Sequence, residues 1–376
     1  MKRIEFGELR IGDTARHHIA DCLDNSWVSM GPKTALLEEK FAELMGCKYA
    51  VAVSSGTAAL TAMTLALPEI CKRPVKRGVS RVICPALGFI ANSTGIVSGR
   101  LVPKWVDIRP ENLNIDASLV EDAIDDDVVA IYAIGTMGCP SDMDKLKRIA
   151  DKHDLVLFED ACENYGSKIN GEFSHKRAIA GCSSFFTAHL VQGGGEGSCV
   201  FTDDENLRDL LMSIRSHGRK PNNAYFDHRL FGSNFKMTDL SAAVTLGSVD
   251  EFNENISERK AVWRELVDYC EQFKDLAWFS NEPDGVEVMP HGFSMTVKPN
   301  SGVNISDLTN SFDRHNIHWK KNFGACFSHP ALSDFNHDPC PWAEYCGENG
   351  VHIGTHRYIE SEDIYRIMVA IREGFE

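Results

Sequence analysis

Apolar positions recur at helical spacing over residues 14–24 and again over 33–44, where Ala35, Leu36, Leu37, Phe41 and Leu44 mark one face. Between them Ser26-Trp27-Val28-Ser29-Met30-Gly31-Pro32 reads as a loop, by its Gly-Pro pair. Its Trp27 and Met30 either cover a site or pack. The period then changes: 49–53 is a short apolar run, Ser54-Ser55-Gly56-Thr57 a polar turn, and 58–67 an alanine-rich helix. Further apolar runs lie at 82–84, 102–106, 128–134, 155–158, 182–186 and 199–201, with helix-like segments between most of them, 143–153 being the clearest. Strands alternating with helices predict an α/β domain with a mostly parallel seven-stranded sheet, and ligands at the C-terminal ends of its strands.

Past Asp239 the alternation stops, and 240–269 reads as one or two long helices. A boundary near Gly247 gives a large α/β domain over 1–246 and a smaller α+β domain over 247–376, with strands at 292–297 and 351–353 and helices at 305–315 and 361–374. A chain of 376 residues exceeds what one core usually serves, which agrees with two domains.

An apolar content of 43% and a charged content of 25% are those of an ordinary globular protein. The formal net charge of −15 argues against a nucleic-acid or anionic-membrane partner, so an anionic ligand must be held by local donors. The first residues lack the apolar stretch of a signal peptide and no run is long enough to span a bilayer, so the expected location is cytoplasmic. The 12 cysteines form no C-x-x-C pair, which signals neither a zinc site nor a disulfide framework. Most read as small buried hydrophobes.

Chemistry concentrates at the predicted strand ends. Ser54-Ser55-Gly56-Thr57 opens a helix, where free amides and the helix dipole favour a phosphate, although Ser and Thr there are also ordinary caps. Cys84-Pro85-Ala86-Leu87-Gly88-Phe89 offers an aromatic that either stacks on a planar ligand or packs in the core. Phe158-Glu159-Asp160-Ala161-Cys162-Glu163 ends a strand with carboxylates. Asp160 suits a protonated ring nitrogen or is a solvated strand end; Glu163 lies beside it or caps a helix. Ser183 to Ser198 runs an aromatic segment into His189 and then a glycine-rich turn, which lets backbone approach a ligand closely.

A phosphate cradle, a stacking ring, a carboxylate and a histidine, in that order, resemble the sugar aminotransferase family of pyridoxal-phosphate enzymes (fold type I) over nearly the full length. The matching stretches are SSGTAAL (54–60), the Phe89 loop, FEDACENYGS (158–167), SSFFTAH with its glycine turn, RSHG (215–218) and GSNFKMTDLSAAV (232–244). The resemblance implies that Gly56, Thr57 and Ser184 hold the cofactor phosphate, that Phe89 stacks on its ring, that Asp160 meets its nitrogen and that Glu163 lies near it. It implies a homodimer with shared active sites, in which Asn234 reaches the neighbouring subunit's cofactor. Trp27, Met30, His217, Lys321 and His356 are the candidates for substrate contact. Arg219, Lys220, Lys320 and Lys321 read equally as diphosphate contacts or as solvated surface charge. No metal and no iron–sulfur cluster is implied.

One departure directs the function. The family's Schiff-base lysine stands five residues after the serine matched by Ser184, and here that position is His189. An imidazole has no primary amine, so the cofactor is expected to be bound non-covalently, as pyridoxamine or pyridoxal 5′-phosphate. Within the superfamily a histidine there marks the sugar 3-dehydratases, as does the acidic Glu163 where aminotransferases usually have Gln. The reaction this implies removes the C3 hydroxyl of a nucleotide-linked 4-keto-6-deoxy sugar, of the GDP-4-keto-6-deoxy-D-mannose type, in deoxysugar and O-antigen biosynthesis. His189 would take a proton from the cofactor C4′ carbon and, once protonated, assist departure of the hydroxyl. L-Glutamate would recharge the cofactor. The rival readings are an aminotransferase-like enzyme with an untethered cofactor and a non-catalytic relative.

Overall fold

Six of the seven apolar runs, and a strand that starts two residues ahead of the seventh, pair into one sheet whose strands are largely buried on both faces, the condition that parallel strands covered by helices must meet. The computed structural model describes residues 2–220 and 227–376. Helices α1 (Asp13–Asp24) and α2 (Pro32–Leu44) lead into β1 (Tyr49–Val53), α3 (Gly56–Ile70), β2 (Arg81–Pro85), α4 (Ala91–Ser98) and β3 (Val102–Val106). There follow β4 (Val128–Ile134), α5 (Met143–Lys152), β5 (Val156–Asp160), the short β6 (Lys168–Ile169) and β7 (Glu172–Phe173), then β8 (Ala180–Cys182), β9 (Ser198–Thr202), α6 (Glu205–Arg215) and α7 (Asp239–Asp250). The order across the sheet is β1-β9-β8-β5-β4-β2-β3, parallel throughout except where β9 runs against β1 and β8.

Alternate residues along these strands feed opposite layers. Val51 and Val53 join Val82, Cys84 and Phe158 in the core beneath α3, while Ala50 and Ala52 pack with Leu37 and Phe41 of α2 and Leu246 of α7. Ile83 and Leu157 face a third cluster with Leu146 and Ile149 of α5. The strand forecast over 182–186 is displaced: β8 is Ala180–Cys182, and beyond it only the Ser183 and Phe185 amides still donate to the β9 side, to the Cys199 and Gly197 carbonyls.

The rest of the chain begins with α8 (Phe252–Cys270) and continues through β10 (Ala277–Phe279), β11 (Val286–Glu287), β12 (Gly292–Val297), α9 (Ile305–Arg314), β13 (Trp319–Lys321), α10 (Pro341–Asn349), β14 (Gly350–Gly354) and α11 (Ser361–Phe375). Strands β10-β12-β14-β13 form an antiparallel sheet that shares a core with α8, α9 and α11. Gly247 falls inside α7, one residue of backbone separates α7 from α8, and Ile4 belongs to this second core.

The amino-terminal segment is a strap between the two units. Ile4 pairs with Ile317, the ring of Phe6 packs edge-on against His291 and His352, and the Gln192 side chain donates to the Glu8 carbonyl at 2.9 Å. No described helix is long and apolar enough to cross a membrane. All 12 cysteines are free, and nine of them are buried.

Candidate active site

The C-terminal ends of β1, β2, β4, β5 and β8 open into one cavity of about 580 Å³, within the range of small-molecule sites. Gly56, Thr57, Phe89, Asp160, Glu163, Ser184, His189 and Lys321 all line it. Phe6, His291, Lys320 and His352 line it too, brought in by the strap and by the antiparallel sheet.

Its floor is the amino terminus of α3. Ser55 caps that helix, its Oγ accepting from the Ala58 amide at 3.1 Å and its carbonyl from the Ala59 amide. The amides of Gly56 and Thr57, which no helical carbonyl can reach, are left for a ligand. A Cβ on Gly56 would lie 3.2 Å from Cys162 Sγ and 3.4 Å from Ser184 Cβ, so a side chain there would crowd this end of the cavity.

Asp160 ends β5 and is buried. Its partners are weak: the Cys162 amide at 3.2 Å, the Asn92 amide group at 3.5 Å and the Cys182 thiol at 3.8 Å. Among the described residues no cation pairs with it, and burial raises its pKa. Nearby, Asn92 Oδ1 is buried with no hydrogen-bond partner. A buried carboxylate without a counter-charge is costly unless a cation arrives. The protonated ring nitrogen of a pyridoxal-type cofactor is such a cation, with its phosphate in reach of the α3 terminus. The residues present therefore fit that cofactor.

His189 sits on a turn held from outside. The buried Arg259 guanidinium of α8 donates to the carbonyls of His189 and Ala188 at 3.1 and 3.3 Å, and Asn255 donates to the Leu190 carbonyl at 2.6 Å. Tyr165 Oη donates to the Ser184 carbonyl at 3.3 Å and accepts from the Val191 amide. Gly195 takes the left-handed φ of 100° that lets the turn return to β9. The His189 ring is fixed as well. The Cys162 carbonyl, which can only accept, lies 2.7 Å from Nδ1, so Nδ1 bears the hydrogen and Nε2 keeps the lone pair. Burial outweighs that bond and, with Arg259 and Lys320 adding to it, pushes the pKa down to about 4. At neutral pH His189 is an uncharged base.

Glu163, with a side chain 12% exposed, faces the same space. Its Oε2 accepts from the Met137 amide at 2.8 Å, with Met137 in the left-handed region at φ 53°, and its Oε1 is 4.0 Å from His291 Nε2. Burial, abetted by Asp160, raises the Glu163 pKa to about 7. His291 is buried, its Nδ1 has no partner, and its ring lies 4.5 Å from that of His189.

Other candidates fall elsewhere. Trp27, Met30, His217, Asn234 and His356 do not line this cavity. Trp27 is exposed on the loop before α2, whose amides at Gly31, Lys33 and Thr34 are tied to the Asp239 carboxylate. Asn234 is exposed and forms a bridge with Ser216, next to His217 in the chain. His356 is buried and its Nε2 donates to the Glu5 carbonyl at 3.1 Å, so it anchors the strap. The sequence reading missed His291, His352, Phe6 and Arg259. A histidine ahead of a strand, as in Pro290-His291-Gly292, was the one available signal.

These buried imidazoles set the acid stability. Burial lowers His175 and His352 to about 3, His189 and His356 to about 4, and His291 well below 6.5. As pH falls below 6.5 the unfolded chain takes up protons that the native chain refuses, so stability is lost in that direction. Glu159 and Glu163, raised to about 7, and Asp160 act oppositely, because the native state holds their protons more tightly. Five imidazoles against three carboxyls leave a net loss of about 1–3 kcal/mol per pH unit. Thermal melts between pH 6.5 and 4.5 are expected to fall steadily, and a flat profile would contradict the protonation states assigned above.

A model of the DegT/DnrJ/EryC1/StrS aminotransferase family matches residues 10–372. The chain is 29% identical over 378 residues to the GDP-perosamine synthase of Caulobacter vibrioides, spanning 99% of this chain and 98% of that one. It is 28% identical over 361 residues to the GDP-4-keto-6-deoxy-D-mannose 3-dehydratase of Escherichia coli O55:H7, spanning 90% and 92%. A solved GDP-4-keto-6-deoxymannose-3-dehydratase with a trapped PLP–glutamate geminal diamine aligns with a TM-score of 0.88 at 26% identity, over 98% of this chain and 100% of that one.

Proposed function

Because the chain belongs to the DegT/DnrJ/EryC1/StrS aminotransferase family, we propose that it is a sugar-modifying enzyme using pyridoxamine and pyridoxal 5′-phosphate, and that its reaction is removal of the C3 hydroxyl from a nucleotide-linked 4-keto-6-deoxy sugar. The first half of that reading has the support of the cradle, of Asp160 and of the relative bound to PLP and glutamate. The second rests on one observation: the residue in the cavity at the tethering position is an imidazole whose Nε2 is a free base. The two relatives divide between an amino-sugar synthase and a 3-dehydratase at nearly equal identity, so overall likeness favours neither.

When bound, the cofactor supplies the amine that engages the C4 ketone and a ring that accepts electrons. The chain's part is to hold and to move protons. The Gly56 and Thr57 amides and Ser184 hold the phosphate, Phe89 covers the ring, and Asp160 keeps the ring nitrogen protonated. His189 Nε2 takes the proton from carbon, its ring aimed by the Cys162 carbonyl and by Arg259 behind the turn. With no amine at 189, the cofactor is held by these contacts alone. L-Glutamate returns the amine after each turnover. A homodimer would present Asn234 to the partner's cavity.

The test is incubation of the purified protein with cofactor, glutamate and a panel of nucleotide-linked 4-keto-6-deoxy sugars, with products weighed by mass spectrometry. A ketone lighter by one oxygen atom, accompanied by ammonia, is the expected product. A 4-amino sugar would replace this reading with an aminotransferase, and a protein that binds no cofactor would replace both with a non-catalytic relative.

A further inference from the structure

One proton leaves carbon and one accompanies the departing oxygen; a single group can carry both in turn, or two groups can divide them, one as base and one as acid. On the reading above His189 is the base. It holds no proton to give at the start, because its Nδ1 hydrogen is engaged by the Cys162 carbonyl and its Nε2 is bare. Besides Asp160 the cavity is lined by two carboxyls, Glu196, exposed on the glycine turn, and Glu163, largely buried beside His291, and the second is the one held in place inside the site. Asp160 is taken up by the ring nitrogen on that same reading.

We propose that Glu163 is a second catalytic residue, whose carboxyl delivers the proton that leaves with the C3 oxygen while His189 works as a base alone. The proposal rests on the dehydratase reading. Glu163 follows Cys162, whose carbonyl aims His189, so one turn of chain fixes both groups. Its Oε2 is pinned by the Met137 amide, its Oε1 lies 4.0 Å from His291 Nε2, and the His291 ring lies 4.5 Å from that of His189. The unpartnered, buried His291 thereby gains a use: it bridges the acid and the base.

The charged and titratable groups that share the cavity with Glu163 are Asp160 and Cys162 from its own strand end, His189 and Glu196 from the glycine turn, His291 just before β12, Lys320 and Lys321 from β13 and His352 from β14. Burial and Asp160 favour the protonated carboxyl, and Lys320 opposes them. His189 is displaced the other way. Two groups in one site pushed apart in this manner assign the acid and the base.

The elimination itself is redox-neutral; the two electrons by which the sugar ends one oxygen lighter come from the cofactor's amine-bearing carbon, which L-glutamate restores. His189 Nε2 takes a proton from carbon and the electron pair of that bond moves toward C3. The C3–O bond breaks with its pair on oxygen, which takes the Glu163 proton and departs as water. The imidazolium of His189 then returns its proton to the Glu163 carboxylate by way of His291.

The test uses Glu163→Gln, which retains an oxygen for the Met137 amide. In the wild type the rate is expected to fall below about pH 4 as His189 protonates and above about pH 7 as Glu163 ionises. In Glu163→Gln the rate falls by about 10²–10⁴ and the upper limb disappears. Infrared spectra of the full-length protein without cofactor give a readout independent of turnover: a protonated carboxyl band at pH 6 that fades as pH rises through 7, with Glu163→Gln lacking one carboxyl's share of it and Glu159 supplying the remainder. In Glu163→Ala, added acetic acid should restore part of the rate. The assignment is overturned if Glu163→Gln makes the 3-deoxy product at the wild-type rate with its upper limb intact, or if none of that band is lost on substitution. A wild type that makes only an amino sugar removes the dehydratase reading and this assignment with it.

Discussion

Replacing His189 with Asn is expected to lower formation of the 3-deoxy product by about 10²–10⁴, the usual worth of a positioned proton-transfer group. The bound cofactor should remain, because the groups assigned to it, Gly56, Thr57, Ser184 and Asp160, lie on the ends of β1, β5 and β8 and owe nothing to the imidazole. Asparagine suits the test because its Nδ2 can still donate to the Cys162 carbonyl that now accepts from Nδ1, while its amide offers no base in place of Nε2. The turn also keeps its outer supports, since Arg259, Asn255 and Tyr165 grip backbone and not the side chain. Two measurements made together decide the matter: the absorbance of the protein with cofactor, and the product yield. Undiminished yield in the variant would end the case for His189 as the base. Loss of cofactor along with yield would mean that the imidazole serves binding instead.

The core sheet was legible because its strands are covered on both faces. Apolar runs of five to seven residues at Tyr49–Val53, Val102–Val106 (interrupted by Lys104) and Val128–Ile134 match the observed strands to the residue. The run at 182–186 misled because Ala180 and Gly181, which begin β8, have almost no side chain with which to signal a strand. Phe185 is apolar for another reason: it packs edge-on against Phe41 of α2. That Asp160, the Gly56-Thr57 turn and His189 share one cavity was legible for a topological reason, since parallel strands put their C-terminal ends on one edge.

The other wall of the cavity was not. His291, His352 and Lys320 come from an antiparallel sheet more than 80 residues downstream of His189, and Phe6 from a strap with neither period. Hydrophobic spacing describes each element alone. Which edge of one sheet faces another depends on packing between them, here through Ile4 on Ile317 and His356 on the Glu5 carbonyl. For the same reason the loop with Trp27 and Met30 could not be placed: Asp239, 205 residues from Thr34, ties it down.

At Asp160 the expected effect changes sign with the cofactor. Among the described residues no cation meets this buried carboxyl, and its pKa is raised by that burial. A raised acid is bound to its proton more tightly in the native state, so its contribution to stability is lost as pH rises from the unfolded value of 3.8 through the folded one. At neutral pH the protein without cofactor therefore bears an unrelieved charge penalty, which Asp160→Asn removes; the variant should melt at or above the wild-type temperature. With pyridoxamine 5′-phosphate the order reverses. The wild type gains about 2.7 kcal/mol at a ligand concentration 100 times its Kd. The variant has lost the partner of a buried ion pair, worth about 3–5 kcal/mol when one member is removed, and its affinity should fall by about 10²–10⁴. At that same concentration its melting temperature should scarcely move. The check is a melt series against cofactor concentration for both proteins. A variant that is less stable alone would show that Asp160 serves the fold, and one that keeps the full cofactor-induced shift would show that the ring nitrogen lies elsewhere.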